Sequence, residues 1–244
     1  MLKRRTMVIL VLLIIFEIFV INIFWQANLN TVRDKDILFQ VSSFNTFSLG
    51  NYRGSMTYRE LSHYGDFGIG TFEGLNGEMI AIDGMFYQIL VDGKPAPVDV
   101  NIKTPYATVT FFDPDQTVIS STTLNYSELM DYIDSILPDK DTIFAIKVTG
   151  FYSYAKTRSV PGQIEPYLPL IDVLKNQSIF LSHDVQATAI GFWFPQSFDG
   201  IDSVGYHFHL ITNDRTAGGH LLDCTIRNAT IQIDPTSKFH LVLS

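Results

Sequence analysis

Cysteine is almost missing from this chain of 244 residues: Cys224 is the only one. No intrachain disulfide can form, so stability rests on packing, and the lone thiol reads as a small buried hydrophobe. Charge is also sparse. Charged residues make up 17% of the chain, and 25 acidic groups outnumber 17 basic ones. Lys3, Arg4, Arg5 and the single acid Glu17 fall within the first 30 residues, so the remainder carries 14 basic against 24 acidic groups, a net charge of −10. Such a body repels nucleic-acid phosphates, which argues against DNA or RNA as a partner. Hydrophobic residues make up 46% of the sequence, a globular composition with ample material for a core.

Lys3-Arg4-Arg5 precede the apolar run Met7 to Trp25, broken only by Glu17 and Asn22. A basic flank followed by such a run is an export signal. Its 19 residues are close to the roughly 20 that span a bilayer as a helix, so a cleaved signal peptide and an uncleaved anchor are both open. Glu17 weighs against stable residence in lipid, where a central charge costs about 3 kcal/mol. No cysteine closely follows the run, which argues against a lipoprotein anchor. The division expected is therefore 1–30 as signal peptide or membrane anchor and 31–244 as one exported domain.

Beyond residue 30 the chain reads mostly as strands and turns. Leu38 to Phe47 alternates. Glu78 to Ile82 and Met85 to Val91 are joined by Asp83-Gly84, a type I′ hairpin signal. Tyr106 to Phe112, Ile143 to Phe151, Ala187 to Phe194, Tyr206 to Ile211 and Leu221 to Ile233 are further strands. Leu129, Met130, Ile133, Ile136 and Leu137 recur at helical spacing, with Ser127 as the expected N-cap and Pro138 as the stop. A short helix follows Pro169. The fold class is mixed α/β dominated by sheet, with a few short helices. Phe72 to Gly77 weakly echoes Phe198 to Asp202, and each precedes a strand, which suggests two sheet-based halves packed together.

Chemistry concentrates in Gly205-Tyr-His-Phe-His-Leu-Ile211. Successive strand side chains point to opposite faces, so His207 and His209 share one. Asn213-Asp214 and Gly218-Gly219 favour a chain reversal. An antiparallel hairpin centred there sets His209 opposite His220, with Cβ atoms about 5 Å apart. Three converging imidazoles with an open fourth position are the usual form of a catalytic zinc site, though an H-x-H pair on a strand is more often structural. His63, His183 and His240 are isolated and read as ordinary surface or hydrogen-bonded residues. Glu73, Asp83 and Arg215 read as turn or rim residues.

Several segments together resemble one family. Gly70-Thr-Phe-Glu-Gly-Leu-Asn-Gly-Glu-Met-Ile-Ala-Ile-Asp-Gly84 is similar to the N-terminal signature of acetolactate decarboxylases. So are Lys147-Val-Thr-Gly-Phe-Tyr-Ser-Tyr-Ala-Lys-Thr-Arg-Ser-Val160, Gly191-Phe-Trp-Phe-Pro195, Gly205-Tyr-His-Phe-His-Leu210 and Gly218-Gly-His220. The stretches occur in family order over about residues 36 to 240. The resemblance implies a zinc-dependent carboxy-lyase converting (2S)-2-acetolactate to (R)-acetoin and CO₂, in the acetoin and butanediol branch of pyruvate metabolism. It implies that His207, His209 and His220 bind Zn²⁺, that Glu78 lies at the metal, that Arg158 contacts the substrate and that Thr71 lines the pocket. Zinc would chelate the substrate's hydroxyl and ketone and stabilise the enediolate left when CO₂ departs. Glu78, a water it holds, or Arg158 would then deliver the proton.

The resemblance also implies a homodimer and a small 2-hydroxy-3-keto acid as substrate. It implies an acidic C-terminal segment with another glutamate near zinc, which has no counterpart up to Ser244. A truncated chain, another group or water in that place are the alternatives. Two other classes stay open: a cupin-like metal oxygenase, which also uses H-x-H with a later histidine, and an inactive membrane-tethered binding domain on the same fold.

Overall fold

The computed structural model describes residues 35–243. The segment read as an export signal or anchor, 1–30, lies outside the described residues. Among the described residues no helix is long and apolar enough to cross a membrane.

Strands dominate. In chain order they are β1 (Ile37–Val41), β2 (Met56–Thr57), β3 (Phe67–Thr71), β4 (Glu78–Ile82), β5 (Met85–Ile89), β6 (Pro95–Pro97), β7 (Lys103–Thr104) and β8 (Ala107–Thr110). There follow β9 (Gln116–Ser120), β10 (Leu124–Asn125), β11 (Ile143–Ser159), β12 (Ser178–Phe194), β13 (Gly205–Thr212), β14 (Gly218–Thr236) and β15 (Lys238–Val242). Four short helices are α1 (Phe44–Ser48), α2 (Tyr58–Leu61), α3 (Tyr126–Ile136) and α4 (Leu170–Val173). The first sheet has seven strands in the order β15-β1-β8-β3-β4-β5-β6, antiparallel except for the parallel pair β1–β15. The second runs β10-β14-β11-β12-β13, with β9 also on β14, and β13 returning to pair with the start of β14. The mixed, sheet-dominated class read from the sequence is what the chain adopts.

The period of two explains how the sheets pack. Leu38, Phe67, Ile69, Ile80, Ile82 and Ile89 of the first sheet face Ile143, Ala145, Ile190, Phe192, Phe194 and Ile211 of the second. On β4 the alternate residues Met79 and Ala81 turn the other way and pack with Tyr58 and Leu61 of α2. On β13, Phe208 and Leu210 likewise turn away, into a core that α3 closes with Leu129 and Ile133. Glu78 therefore has the parity of Ile80 and Ile82, and His207 and His209 that of Ile211. Both sets face the seam between the sheets.

Several sequence expectations are corrected. The alternation from Leu38 to Phe47 is strand only as far as Val41. Ser42 takes a left-handed φ of 64°, Ser43 caps α1 by accepting the Thr46 N–H, and Phe44 and Phe47 become neighbours on a helix. The N-cap of α3 is Asn125, not Ser127. Its side chain accepts the Glu128 N–H while the Glu128 carboxylate accepts the Asn125 N–H, a reciprocal box that outcompetes a lone serine inside the first turn. The strand expected to end at Phe151 runs to Ser159, and the one expected from Ala187 begins at Ser178, because the two form one long hairpin with Ser159 opposite Ser178. Polar residues hid that extension. Asp83 and Gly84 have φ of 51° and 78°, as a type I′ turn requires. The first segment of the weak internal echo contains the 3₁₀ turn Glu73–Leu75 ahead of β4, whereas the turn Gln196–Phe198 ends at the first residue of the second segment.

Phe192 is fully buried in the seam, edge-on to Phe67 with ring centroids 5.9 Å apart. Phe192→Ala is expected to lower unfolding free energy by about 3–5 kcal/mol, since the cavity lies between two long sheets that cannot collapse into it. Denaturant titration measures this, and a loss below about 1 kcal/mol would contradict the central position assigned to the ring.

Candidate metal centre and its pocket

The site is built on strand register. β13 pairs with β14 so that His209 faces His220, as hairpin symmetry predicts, and β14 pairs with β11 so that His220 also faces Arg158. Arg158, His220 and His209 thus form a row across three adjacent strands. His207 stands two residues along β13 on the same face. Glycine permits the close strand approach at two points. Gly219 has φ 140°, and a Cβ there would be driven into the Arg158 carbonyl. A Cβ on Gly191 would be driven into the carbonyl of His207. On the far side of β13, the Tyr206 hydroxyl donates to Asp134 of α3 at 2.6 Å and ties the strand down.

The three imidazoles converge. Ring centroids are 5.3 Å apart for His207–His209, 4.9 Å for His207–His220 and 5.3 Å for His209–His220. One ring nitrogen from each lies within 4.8 Å of the others. Burial holds all three well below the usual histidine range, with the Arg158 guanidinium adding to the effect, and His207 is pushed down to about 3. They are neutral, the form that ligates metal. The Met79 carbonyl accepts from His209 Nδ1 at 2.8 Å, which leaves Nε2 as the free lone pair. His207 Nδ1 is buried with no hydrogen-bond partner, a costly arrangement unless a further group completes it. These residues could hold a metal ion, and the orphaned nitrogen and neutral rings both fit one.

The first sheet supplies the opposing groups. Glu78 is the first residue of β4, cross-strand from Thr71 of β3. Its Oε2 lies 3.5 Å from His209 Nε2 and its Oε1 3.9 Å from Arg158 Nη1. Burial pushes the Glu78 carboxyl up to about 7, while Arg158 pulls the other way. The Thr71 hydroxyl donates to the Gly77 carbonyl at 2.6 Å, so its proton is committed. The structure thus brings together all six residues singled out in the sequence. His63, His183 and His240 stay apart: His63 contacts the Glu60 carbonyl, His183 the Tyr154 ring and His240 the Phe39 ring. Asp83 pairs with Lys147 at 3.2 Å and Arg215 covers the Tyr87 ring, as rim residues do.

Thr71, Glu78, Arg158, His207 and His209 line one side of a pocket of about 430 Å³ including its mouth. The other side is apolar: Phe44 and Phe47 of α1, Leu75, Tyr106, Val160 and Leu170 of α4. Phe47 stacks on Tyr106 with centroids 4.7 Å apart. Sequence reasoning missed this wall, which comes from five separate segments. Only Leu75, held between Gly74 and Gly77 in a turn, carried a local signal.

Comparisons with known proteins give the family and the fold. A family model described as alpha-acetolactate decarboxylase matches residues 38–244. An alpha-acetolactate decarboxylase of Methanosarcina mazei is 46% identical over 208 residues, covering 85% of this chain and 72% of that one. One of Methylococcus capsulatus is 41% identical over 204 residues, covering 84% and 78%. The crystal structure of alpha-acetolactate decarboxylase from Bacillus subtilis strain 168 superposes with a TM-score of 0.83 at 36% identity, covering 85% of this chain and 88% of that one.

His209→Ala removes one of the three imidazoles that could hold an ion, and two imidazoles hold a divalent ion far less tightly than three. Metal analysis after dialysis is expected to fall from about one ion per chain to under about a tenth. Full stoichiometry in the variant would sink the assignment of the triad.

Proposed function

The chain belongs to the alpha-acetolactate decarboxylase family and is an enzyme that decarboxylates acetolactate, and on that premise we propose that its ion is zinc, its product (R)-acetoin, and Arg158 and Glu78 the groups that act on the substrate. One observation carries the reading: three neutral imidazoles converge beside a carboxyl and a guanidinium, the five groups standing on four strands, β13, β14, β4 and β11. Zinc, when bound, would supply a Lewis acid against the negative charge that develops as CO₂ leaves. An all-nitrogen histidine set suits zinc, whereas calcium and magnesium take oxygen ligands.

The chain's own groups would do the rest. Arg158 presents a planar fork to a carboxylate and stays charged, and its side chain is only 13% exposed, so little water competes for it. It would hold the leaving carboxylate on entry and shield the oxygens left behind. Glu78 would hand a proton to one face of the reacting carbon, directly or through water, with Arg158 as the competing donor. Thr71, its hydroxyl proton committed to Gly77, offers the substrate an acceptor oxygen and a methyl group. The pocket's apolar side keeps water from the charge that develops.

The test is acetoin formation from racemic acetolactate by the purified protein, with and without a chelator. Acetoin should form, stop on chelation and return with zinc. Arg158→Lys, a point charge in place of a fork, should lower kcat/KM about 10- to 100-fold with metal content unchanged. Oxygen uptake without acetoin would favour the oxygenase reading, and neither activity would favour a binding domain.

From the Lys3-Arg4-Arg5 flank and the apolar run we further infer export, with release or anchoring as alternatives, and from the family a homodimer. An intact Met1 peptide found only in the cytosol by mass spectrometry would overturn export. A monomer mass in sedimentation at micromolar concentration would overturn the dimer.

A further inference from the structure

We propose that Leu75 sets the size limit for the alkyl group that the substrate carries on its reacting carbon, an inference that rests on the decarboxylase reading. It begins from a backbone outlier. Leu75 has φ 53°, in the left-handed region that residues other than glycine, asparagine and aspartate seldom adopt. It follows Gly74 at φ 71° in the turn Glu73–Leu75, which leads into the strand that carries Glu78. The turn is pinned from both sides through Gly74, whose N–H donates to the Tyr52 carbonyl and whose carbonyl accepts the Gln163 N–H. Leu75's own carbonyl accepts the Gly77 N–H, a contact any residue could make. Nothing in the local backbone calls for leucine, and glycine would fit with less strain. What leucine adds is its side chain. That side chain is 3% exposed, packs with Phe47, Tyr106 and Val160, and forms part of the pocket wall. A strained residue kept in place at a pocket points to a functional demand on it.

The substrate's chemistry says what the demand is. The reacting carbon of a 2-hydroxy-3-keto acid carries a carboxylate, a hydroxyl, an acyl group and an alkyl group. Three of the four bear oxygen and match the polar side formed by Thr71, Glu78, Arg158, His207 and His209. The carbon is tetrahedral, so a substrate that turns its oxygens toward that side turns its alkyl group away from it. Opposite lie Phe47, Leu75, Tyr106 and Val160, all buried and packed together, so this part of the wall does not yield. Phe44 and Leu170, also on the apolar side, are only partly buried and have room to move. Of the four buried residues, Leu75 alone sits on the element that leads directly to Glu78, three residues away. It is therefore placed in register with the chemistry.

The experiment compares kcat/KM, by CO₂ release, for the 2-methyl substrate acetolactate and its 2-ethyl homologue in wild type, Leu75→Ala and Leu75→Gly. A methylene in an apolar pocket is discriminated about 10- to 200-fold, so the ethyl-to-methyl ratio should rise about tenfold or more in both variants. Leu75→Gly guards against misfolding, because it also relieves the left-handed φ. Far-UV circular dichroism and a cooperative melt establish that each variant is folded. A ratio that moves less than about twofold in a folded variant overturns the proposal while leaving the decarboxylase reading intact. Release of CO₂ from neither substrate by wild type overturns that reading, and the proposal with it.

Discussion

The site hangs on one row of cross-strand pairs. β14 enters the second sheet at His220 and there faces His209 on one side and Arg158 on the other. Register in a sheet is all or nothing: a slip of one residue sends every side chain on a strand to the opposite face. A slip of β14 would turn His220 out of the seam and bring the small Gly219 or the apolar Leu221 in. The apolar pattern guards against this. Ile226, Ile231 and Ile233 of the same strand are buried in cores, and a slip would misplace all of them together. Burial of ordinary aliphatic residues is thus what holds the metal-binding geometry.

That placement has an electrostatic consequence. A guanidinium, a carboxyl and three imidazoles share a space that burial removes from water. Desolvation disfavours every charged form, which raises Glu78 to about 7 and depresses all three histidines. The polar groups answer each other only loosely, at 3.5 Å and 3.9 Å, and His207 Nδ1 has no partner. A fully satisfied network would be rigid and closed. One whose contacts exceed an ordinary charge-assisted hydrogen bond by roughly 0.6 to 1 Å suits a site that must admit a substrate. The stability lost there is offset by the apolar seam, where Phe67, Ile80, Ile82, Phe192 and Phe194 meet with no polar atoms among their side chains.

How much of this was legible beforehand depended on how local its cause was. The histidine triad was readable because a hairpin relates residues by simple arithmetic, and nothing intervenes between His209 and His220 except the turn. The hairpin at Asp83-Gly84 was readable for the same reason. The reach of Arg158 into the sheet was not. It depends on β11 and β12 continuing through polar residues such as Lys156, Thr157 and Ser182, whose strand conformation comes from pairing between the two strands and with β14. The resemblance to a family pointed at Arg158 and Glu78, while alternation alone left both as surface charges. Phe44 and Phe47 misled as a continuation of the apolar run of β1, although residues three apart fall on opposite faces of a strand and on one face of a helix, and Ser42 and Ser43 break the chain direction between them and β1.

The two sides of the pocket have different origins, and that difference bears on how the fold can be tuned. Every polar group singled out stands on a strand whose register is set by ladder pairing, long for β11 and β14 and four or five pairs for β3 and β4, so its position tolerates little change. The apolar side comes from α1, the turn at Leu75, the residue before β8, the residue after β11 and α4, where no ladder constrains the choice of side chain. Chemistry is therefore carried by the part of the structure that cannot move without unfolding, and shape by segments that can vary one residue at a time. Leu75 stands at the boundary between them. It lies in a turn, yet its backbone is pinned by Tyr52 and Gln163 and it leads straight into β4. A change there alters the pocket without disturbing the row of pairs beneath it, which is where selection among related substrates has the most freedom and the least to lose.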